Sequence, residues 1–470
     1  MIDTLAAPSS EQLFLSTTSS TARWWILLVI TLLVGSSLRL IGLGSKSLWF
    51  DEAFTVILSE KTLPEIWRFP QNPGDDPHPR LFKTLLHYWI PVFGRSEFAV
   101  RLPTAYASIL NMALLGLLAR RLFDRRTSLI AVALLALSPL EVWYAQETRM
   151  YMIVTTMGLA FAVMLTVNHW LALPGLLAAL TIGLYVDLPM VPLSIGLSVI
   201  WFIFWWQQGR NRRWFVIWFA AVLGSWLLYL PIMPYLTFTF NDLNRIYVFR
   251  EFRDALGLPN FAPWHYLVGL AIIAMLLGLA AIIAQRWLRR SGFRRWFGPL
   301  AVFIFGLITM TTPIPRLFAI ERVMLTGWPY VVLLIAWILV NDEKLKRYAL
   351  IPLLVISLAA SIGALLVPKD DWRGAVAFIH AKADPDDLVW IEPHWNKRAV
   401  EYYQLPNETK TGTVAMLQKV VTGDRDIWII AERFPNLSAP SSASEAWLDD
   451  NLELIFIEPF YRLEVRHYKP

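Results

Sequence analysis

The chain has 470 residues, 56% hydrophobic and 17% charged, a balance too apolar for a soluble globular protein. The lack of cysteine excludes a disulfide framework, a thiolate nucleophile and a cysteine-ligated metal. A net charge of +6 would suit nucleic acid, but the basic residues cluster in short connections between apolar runs; membrane topology explains them, and no nucleic-acid partner is expected.

Residues 1–22 are rich in Ser and Thr, with no cationic start and no small-residue cleavage site, so they read as a flexible cytoplasmic tail. Residues 23–367 form the membrane region. Apolar runs able to cross about 30 Å of hydrocarbon fall at 24–41, 100–119, 128–143, 152–167, 171–186, 190–206, 215–236, 266–285, 297–310, 324–340 and 349–367. The expected fold is thus an α-helical polytopic membrane protein of about eleven spans. Threading them puts Arg120, Arg121, Arg125, Arg126, Arg210, Arg212, Arg213, Arg286, Arg289, Arg290, Arg294, Arg295, Lys344, Lys346 and Arg347 in short loops on one side, the cytoplasmic one by the positive-inside rule. The loops around Asp51 and Glu147 and the tail after Val367 then lie outside, in what reads as a bacterial inner membrane.

Polar chemistry collects at the external ends. A charge at mid-bilayer costs at least about 2.5–3.5 kcal/mol on insertion scales, and every predicted span is free of one at its centre. This suits an enzyme that takes one substrate from lipid and one from water. It argues against the rival class, a transporter or flippase of lipid-linked glycans, which needs a midplane pathway. Directly after the first span stand Asp51 and Glu52. The first external loop continues with an amphipathic stretch at 54–67 and a second apolar stripe at Leu81, Leu85, Trp89 and Ile90, both read as interfacial helices. Between them, Asp76 and His78 sit on a proline-stiffened turn; a solvated loop with a capping Asp explains that segment equally well. The second external loop is short and holds Glu147 and Arg149 near the bilayer surface, where an exposed ion pair and a snorkelling anchor are the plainer account.

Residues 368–470 change to a mixed, charged pattern. Trp372, Val376 and Ile379 recur at helical spacing, and 388–391, 427–431, 454–457 and 461–465 read as strands, giving a small external α/β domain. Its Trp390, His394, Trp395, Tyr402 and Tyr403 could stack on a sugar, but ordinary packing is the preferred reading.

Three segments share an order and spacing: Arg39-Leu-Ile-Gly-Leu-Gly leading to Ser47-Leu-Trp-Phe-Asp51-Glu52, the His78-Pro79 turn followed by 81–89, and Tyr144-Ala-Gln-Glu147-Thr-Arg149-Met-Tyr151. Together they resemble the family 39-like bacterial glycosyltransferases of the GT-C superfamily, relatives of protein O-mannosyltransferases and of the lipid A aminoarabinose transferase. The resemblance covers mainly the first 190 residues. It implies a sugar carried on polyprenyl phosphate as donor, Asp51 as catalytic base with Glu52 completing an Asp-Glu motif, and Glu147 and Arg149 in the same external site. The usual His-Pro-Pro of such proteins stands here as His78-Pro79-Arg80. Asp76, His78, Glu147, Arg149 and Tyr151 are the expected substrate-binding residues, with Arg316 and Arg322 as further phosphate candidates. The acceptor class stays open among glycan, lipid and protein. So does a divalent cation, for which Asp76, His78, Glu147 and His265 are the candidate ligands.

Overall fold

The computed structural model describes residues 10–70, 76, 78–207, 211–235, 320–421, 425–433 and 442–470. The predicted spans at 266–285 and 297–310, and the residues His265 and Arg316, lie outside the described residues.

Helix α1 (Ser10–Leu40) begins inside the segment read as a tail and carries the first span. The stretch after it turns back in three short helices, α2 (Phe50–Ser59), α3 (Leu63–Ile66) and α4 (Leu81–Phe93). Asp51 and Glu52 are therefore helical rather than loop residues: they form the acidic first turn of α2, where carboxylates complement the exposed N–H groups of a helix start. Helix α4 docks through His87, whose Nδ1 lies 2.9 Å from the Ser59 carbonyl, and Trp89, whose indole N–H donates to the Ala99 carbonyl. Its other face leaves Tyr88, Val92 and Phe93 exposed.

The bundle continues with α5 (Glu97–Leu122), α6 (Arg125–Ala136), α7 (Pro139–Ala145), α8 (Tyr151–Leu165), α9 (Ala172–Val186), α10 (Met190–Gln207) and α11 (Arg212–Tyr229). Helices α12 (Ile320–Asn341) and α13 (Glu343–Leu366) complete the described part. Nine predicted spans thus fall on helices, with one change of shape: the span at 128–143 is broken into α6 and α7, bent by 56°. The Ser138 hydroxyl accepts from the Glu141 N–H and Pro139 takes the first helical position, so a new helix starts there. By length and composition, four described helices can cross a membrane alone, or five if the bent pair is one span; α8, α9, α10 and most of α12 are apolar but shorter.

The two ends of the bundle differ. At one end Trp24 donates to the Arg125 carbonyl and lies under the guanidinium groups of Arg120 and Arg125. At the other, Arg39 is fully buried, donating to Ser108 Oγ and to the Leu135 and Ala136 carbonyls, 3.8 Å from Glu141. That second end carries α2, α4 and everything described below.

The C-terminal part is a five-stranded sheet in the order β2-β1-β3-β5-β4. Strands β1 (Leu388–Glu392), β2 (Glu408–Lys410) and β3 (Ile427–Glu432) are parallel, while β4 (Glu453–Phe460) and β5 (Leu463–Lys469) form an antiparallel hairpin at one side. The expected strand at 461–465 is corrected: Tyr461 and Arg462 make the hairpin turn, with φ of 59° at Arg462, and the strand runs on to Lys469. Alternate residues feed two cores. Trp390, Ile427, Ile429 and Tyr468 pack with Leu417 and Leu448 on one face; Val389, Ile391, Trp428, Ile430 and Val465 pack with helix α14 (Trp372–Lys382) on the other. The second cluster does not stop at the domain. It includes Leu48, Ala53, Val56 and Val100, so α2 and the start of α5 share one apolar core with the sheet. Tyr402 is buried in this packing and Trp390 in the cluster on the other face, and Tyr403 accepts the Leu48 N–H through its hydroxyl.

Candidate active site

The site is organised by Arg101, in the second turn of α5 and 1% exposed. Its Nε and Nη2 each lie 2.8 Å from a Glu52 carboxylate oxygen, a bidentate pair, and its remaining donors go to the carbonyls of Leu43, Lys46 and Ser47. One guanidinium thus ties the chain entering α2 and the first turn of α2 to a membrane helix. Glu52 also accepts from the Thr148 N–H at 2.8 Å and from Lys369 Nζ at 3.1 Å. Burial opposes its charge, but Arg101 and Lys369 outweigh burial and hold the carboxyl down at about 2.

The Gln146-Glu147-Thr148-Arg149 element uses each residue differently. Gln146 donates to the Ile41 carbonyl at the end of the first span. Glu147 lies 3.5 Å from Lys369 Nζ. Thr148 gives its N–H to Glu52. Arg149, 5% exposed, donates to Thr55 Oγ1 at 2.9 Å and to the Asp51 carbonyl at 3.3 Å. Burial works against its charge, yet Tyr151, Asp51 and Asp76 outweigh it and raise its pKa.

Asp76 is buried and joins the same site. Its carboxylate lies 2.6 Å from Arg80 Nη1 and 2.5 Å from Lys83 Nζ, and accepts the His78 N–H. Burial raises its pKa, but Lys83, His78, Arg80 and Arg149 together carry it below the ordinary carboxylate range. Lys83 moves the opposite way: burial, aided by Arg80 and Arg149 and opposed by Asp76, brings it down to about 8. Three cations therefore face two carboxylates, Asp76 and Asp51. The local excess is positive and buried, which is what an anionic ligand requires.

Asp51, Glu52, Asp76, Glu147 and Arg149 are thus brought together from three separated segments. Asp51 is half-buried, in contrast to the fully buried Glu52. His78 sits at the edge, its Nδ1 3.0 Å from Asp187. Tyr151 is buried in contact with Tyr144, its ring under Arg149. Arg322 lies in α12, but its side chain is outside what is described. Asp76 faces Arg80 and Lys83, and Glu147 faces Lys369, so these carboxylates are matched to cations rather than gathered around a common centre. Among the described residues no three His, Cys, Asp or Glu side chains group as a metal set. Among the described candidates, Asp76, His78 and Glu147 do not group as a cation site, and His265 lies outside the described residues.

Four contributors escaped the sequence reading: Arg80, Lys83, Arg101 and Lys369. The signal for three of them is a lone cation in apolar surroundings. Lys83 interrupts the stripe from Leu81 to Ile90, Arg101 interrupts the start of a span, and Lys369 is the first charge after the last span. Arg80 stands where the related proteins have a second proline, and its pairing with Asp76 is the local consequence.

A family model for dolichyl-phosphate-mannose-protein mannosyltransferases matches residues 77–238. No curated protein matches the chain by sequence. Among solved structures, ArnT from Cupriavidus metallidurans bound to undecaprenyl phosphate aligns with a TM-score of 0.60 at 12% identity, over 94% of this chain and 98% of that one. The Archaeoglobus fulgidus oligosaccharyltransferase in complex with Zn and sulfate aligns with a TM-score of 0.51 at 14% identity, over 86% and 68%. The same archaeal protein, AglB, in complex with an inhibitory peptide and a dolichol-phosphate gives 0.53 at 11% identity, over 88% and 70%. The chain shares its overall fold with ArnT and with the archaeal oligosaccharyltransferase. Within that fold, residues 77–238 carry the match to the mannosyltransferase family model.

Proposed function

We propose that this protein transfers a sugar from a polyprenyl-phosphate-linked donor to an acceptor hydroxyl at the external face of the membrane, with inversion at the anomeric carbon. The observation that carries the reading is the buried excess of Arg80, Lys83 and Arg149 beside a half-exposed Asp51. The lipid phosphates named with the ArnT and AglB structures support the donor class. Basic loops at the opposite end of the bundle support the external placement, by the positive-inside rule, with the sheet domain on the same outer side.

The chemistry follows from the charges. The acceptor oxygen bonds to the anomeric carbon as the bond from that carbon to the phosphate oxygen breaks, and the acceptor proton passes to Asp51. The polyprenyl phosphate leaves as an anion, so it needs cations rather than a proton donor, and Arg80, Lys83 and Arg149 are the groups placed to supply them. The partners of Glu52 argue against it as the base: its oxygens accept from Arg101, Lys369 and Thr148 and it is fully buried. It positions Asp51 instead. Glu147 supports that arrangement through Lys369.

Purified protein offered radiolabelled polyprenyl-phosphate sugars and a crude envelope fraction tests this. Transfer of label from one donor is expected. A donor lipid that changes leaflet with its sugar intact would support a flippase and defeat the proposal.

A further inference from the structure

The transfer chemistry leaves Lys369 without a stated task. It follows the last membrane helix, at the junction with the sheet domain, and its side chain is 5% exposed. Nζ lies 3.1 Å from Glu52 Oε2, 3.5 Å from Glu147 Oε1 and 3.2 Å from the Gln146 carbonyl. The two carboxylates belong to different elements, the first turn of α2 and the turn between α7 and α8. Without this cation Arg101 alone would offset Glu52, and Glu147 would be buried beside it at a cost in desolvation and repulsion.

Its sequence neighbours hold the other side of the same turn. Asp371 accepts from Ser47 Oγ at 3.1 Å, Tyr403 Oη accepts from the Leu48 N–H at 2.8 Å, and Arg373 donates to the Ser45 carbonyl at 2.6 Å. The sheet domain therefore grips residues 45–48 just before α2, while Lys369 grips Glu52 just after. Asp51 lies between these two grips.

We propose that Lys369 is a positioning residue for the transfer: by bridging Glu52 and Glu147 it sets Asp51 against Arg149, and it makes the C-terminal domain a working part of the site rather than an appended module. The kinetic half of this statement rests on the transfer reading above; the mechanical half does not.

The experiment uses the full-length protein with the panel of radiolabelled polyprenyl-phosphate sugars and envelope fraction. K369M is expected to lower kcat by about 30-fold or more with donor KM within about threefold, since small misplacements of a reacting group act on kcat. K369R, which keeps the charge, restores most of the loss. R95A cuts a part-exposed contact between the same domain and the membrane part, to the Tyr402 carbonyl and Glu60, and leaves kcat within about twofold. Amide hydrogen exchange gives a readout independent of activity: peptides spanning 46–52 and 147–150 exchange at least about tenfold faster in K369M, the Thr148 amide included. A folded K369M with unaltered kcat overturns the proposal, as does an R95A loss equal to that of K369M, which would reduce Lys369 to domain docking. Should K369M not fold, K369Q, neutral but able to donate to the same oxygens, is read in the same way. If the unaltered protein moves no sugar from any donor, the transfer reading fails. The exchange data then decide the mechanical half: faster exchange upholds it, and unchanged exchange in both peptides overturns it.

Discussion

Replacing Glu52 by Gln separates the tasks of two adjacent carboxylates. The Glu52 side chain is fully buried and accepts from Arg101 Nε, Arg101 Nη2, Lys369 Nζ and the Thr148 N–H. A carboxyl held at about 2, against an ordinary value near 4.3, corresponds to about 3 kcal/mol of folded-state preference for the charged form. Glutamine keeps the shape, loses the charge, and turns an amide N–H toward a guanidinium, so about 3 kcal/mol is also the expected loss of stability at pH 7. For a chain of this size that is about 3–6 °C in the thermal midpoint, since the shift per kcal/mol falls with length. The pH dependence adds a signature. A carboxyl with a depressed folded-state pKa contributes its full stability above the ordinary value and loses it as pH falls through the folded one. The gap between the unaltered protein and E52Q should thus be full at pH 6 and close between about pH 4 and pH 2. Thermal melts in detergent across that range measure it. Equal midpoints at pH 6, or a gap that stays constant down to pH 2.5, would refute the assignment of Glu52 as a structural anion.

Asp51→Asn should lower transfer by about 10²–10⁴-fold in the radiolabel assay, the range for loss of a general base, and, because Asp51 helps hold the buried Arg149 charge, should lower the midpoint by less than E52Q does. Lys83 titrates at about 8, so its charge is present below that pH and lost above it; donor KM should rise several-fold between about pH 7 and pH 9.5, and K83R should flatten the rise because a guanidinium does not titrate there. Arg101→Lys cannot make the bidentate pair and reach three carbonyls at once, and should destabilise the protein by about 2–4 kcal/mol, read as a lower melting midpoint. A spin label at Val92, on the exposed face of α4, should collide more often with lipid-soluble oxygen than with a water-soluble nickel chelate if that helix lies on the bilayer.

Much of this architecture is legible from composition and periodicity, because membrane helices and their flanking charges obey strong one-dimensional rules. The helices at 97–122 and 343–366 follow from apolar runs, and the strands at 388–392 and 427–432 from short β-branched stretches. The break at Leu137 and Ser138 was less visible: both halves are apolar, and the bend is set by a local serine cap and a proline. The three residues of β2 were missed because so short an edge strand is defined by its partner β1 rather than by its own sequence. At the site, the acidic and histidine residues stood out by motif, and the cations that match them did not. Arg101 and Lys369 are paired with Glu52 across 49 and 317 residues, and no local pattern encodes such a partnership. The contrast between Asp51 and Glu52 on which the proposed division of labour rests also needed three dimensions, since helix geometry turns one carboxylate toward Arg101 and leaves its neighbour half-exposed.

The separation of the cluster along the chain has a consequence for biosynthesis. Arg101 and Glu52 leave the ribosome early and can pair while the bundle is still growing. Lys369 follows Gln146 by 223 residues, an interval of about 10–45 s at ordinary elongation rates. Through that interval Glu52 and Glu147 lack the ammonium that bridges them in the finished protein, so the turn carrying Asp51 gains its second tie only after the last span has been made. A chain truncated before that point would hold the membrane helices of the site with the Arg101 tie alone.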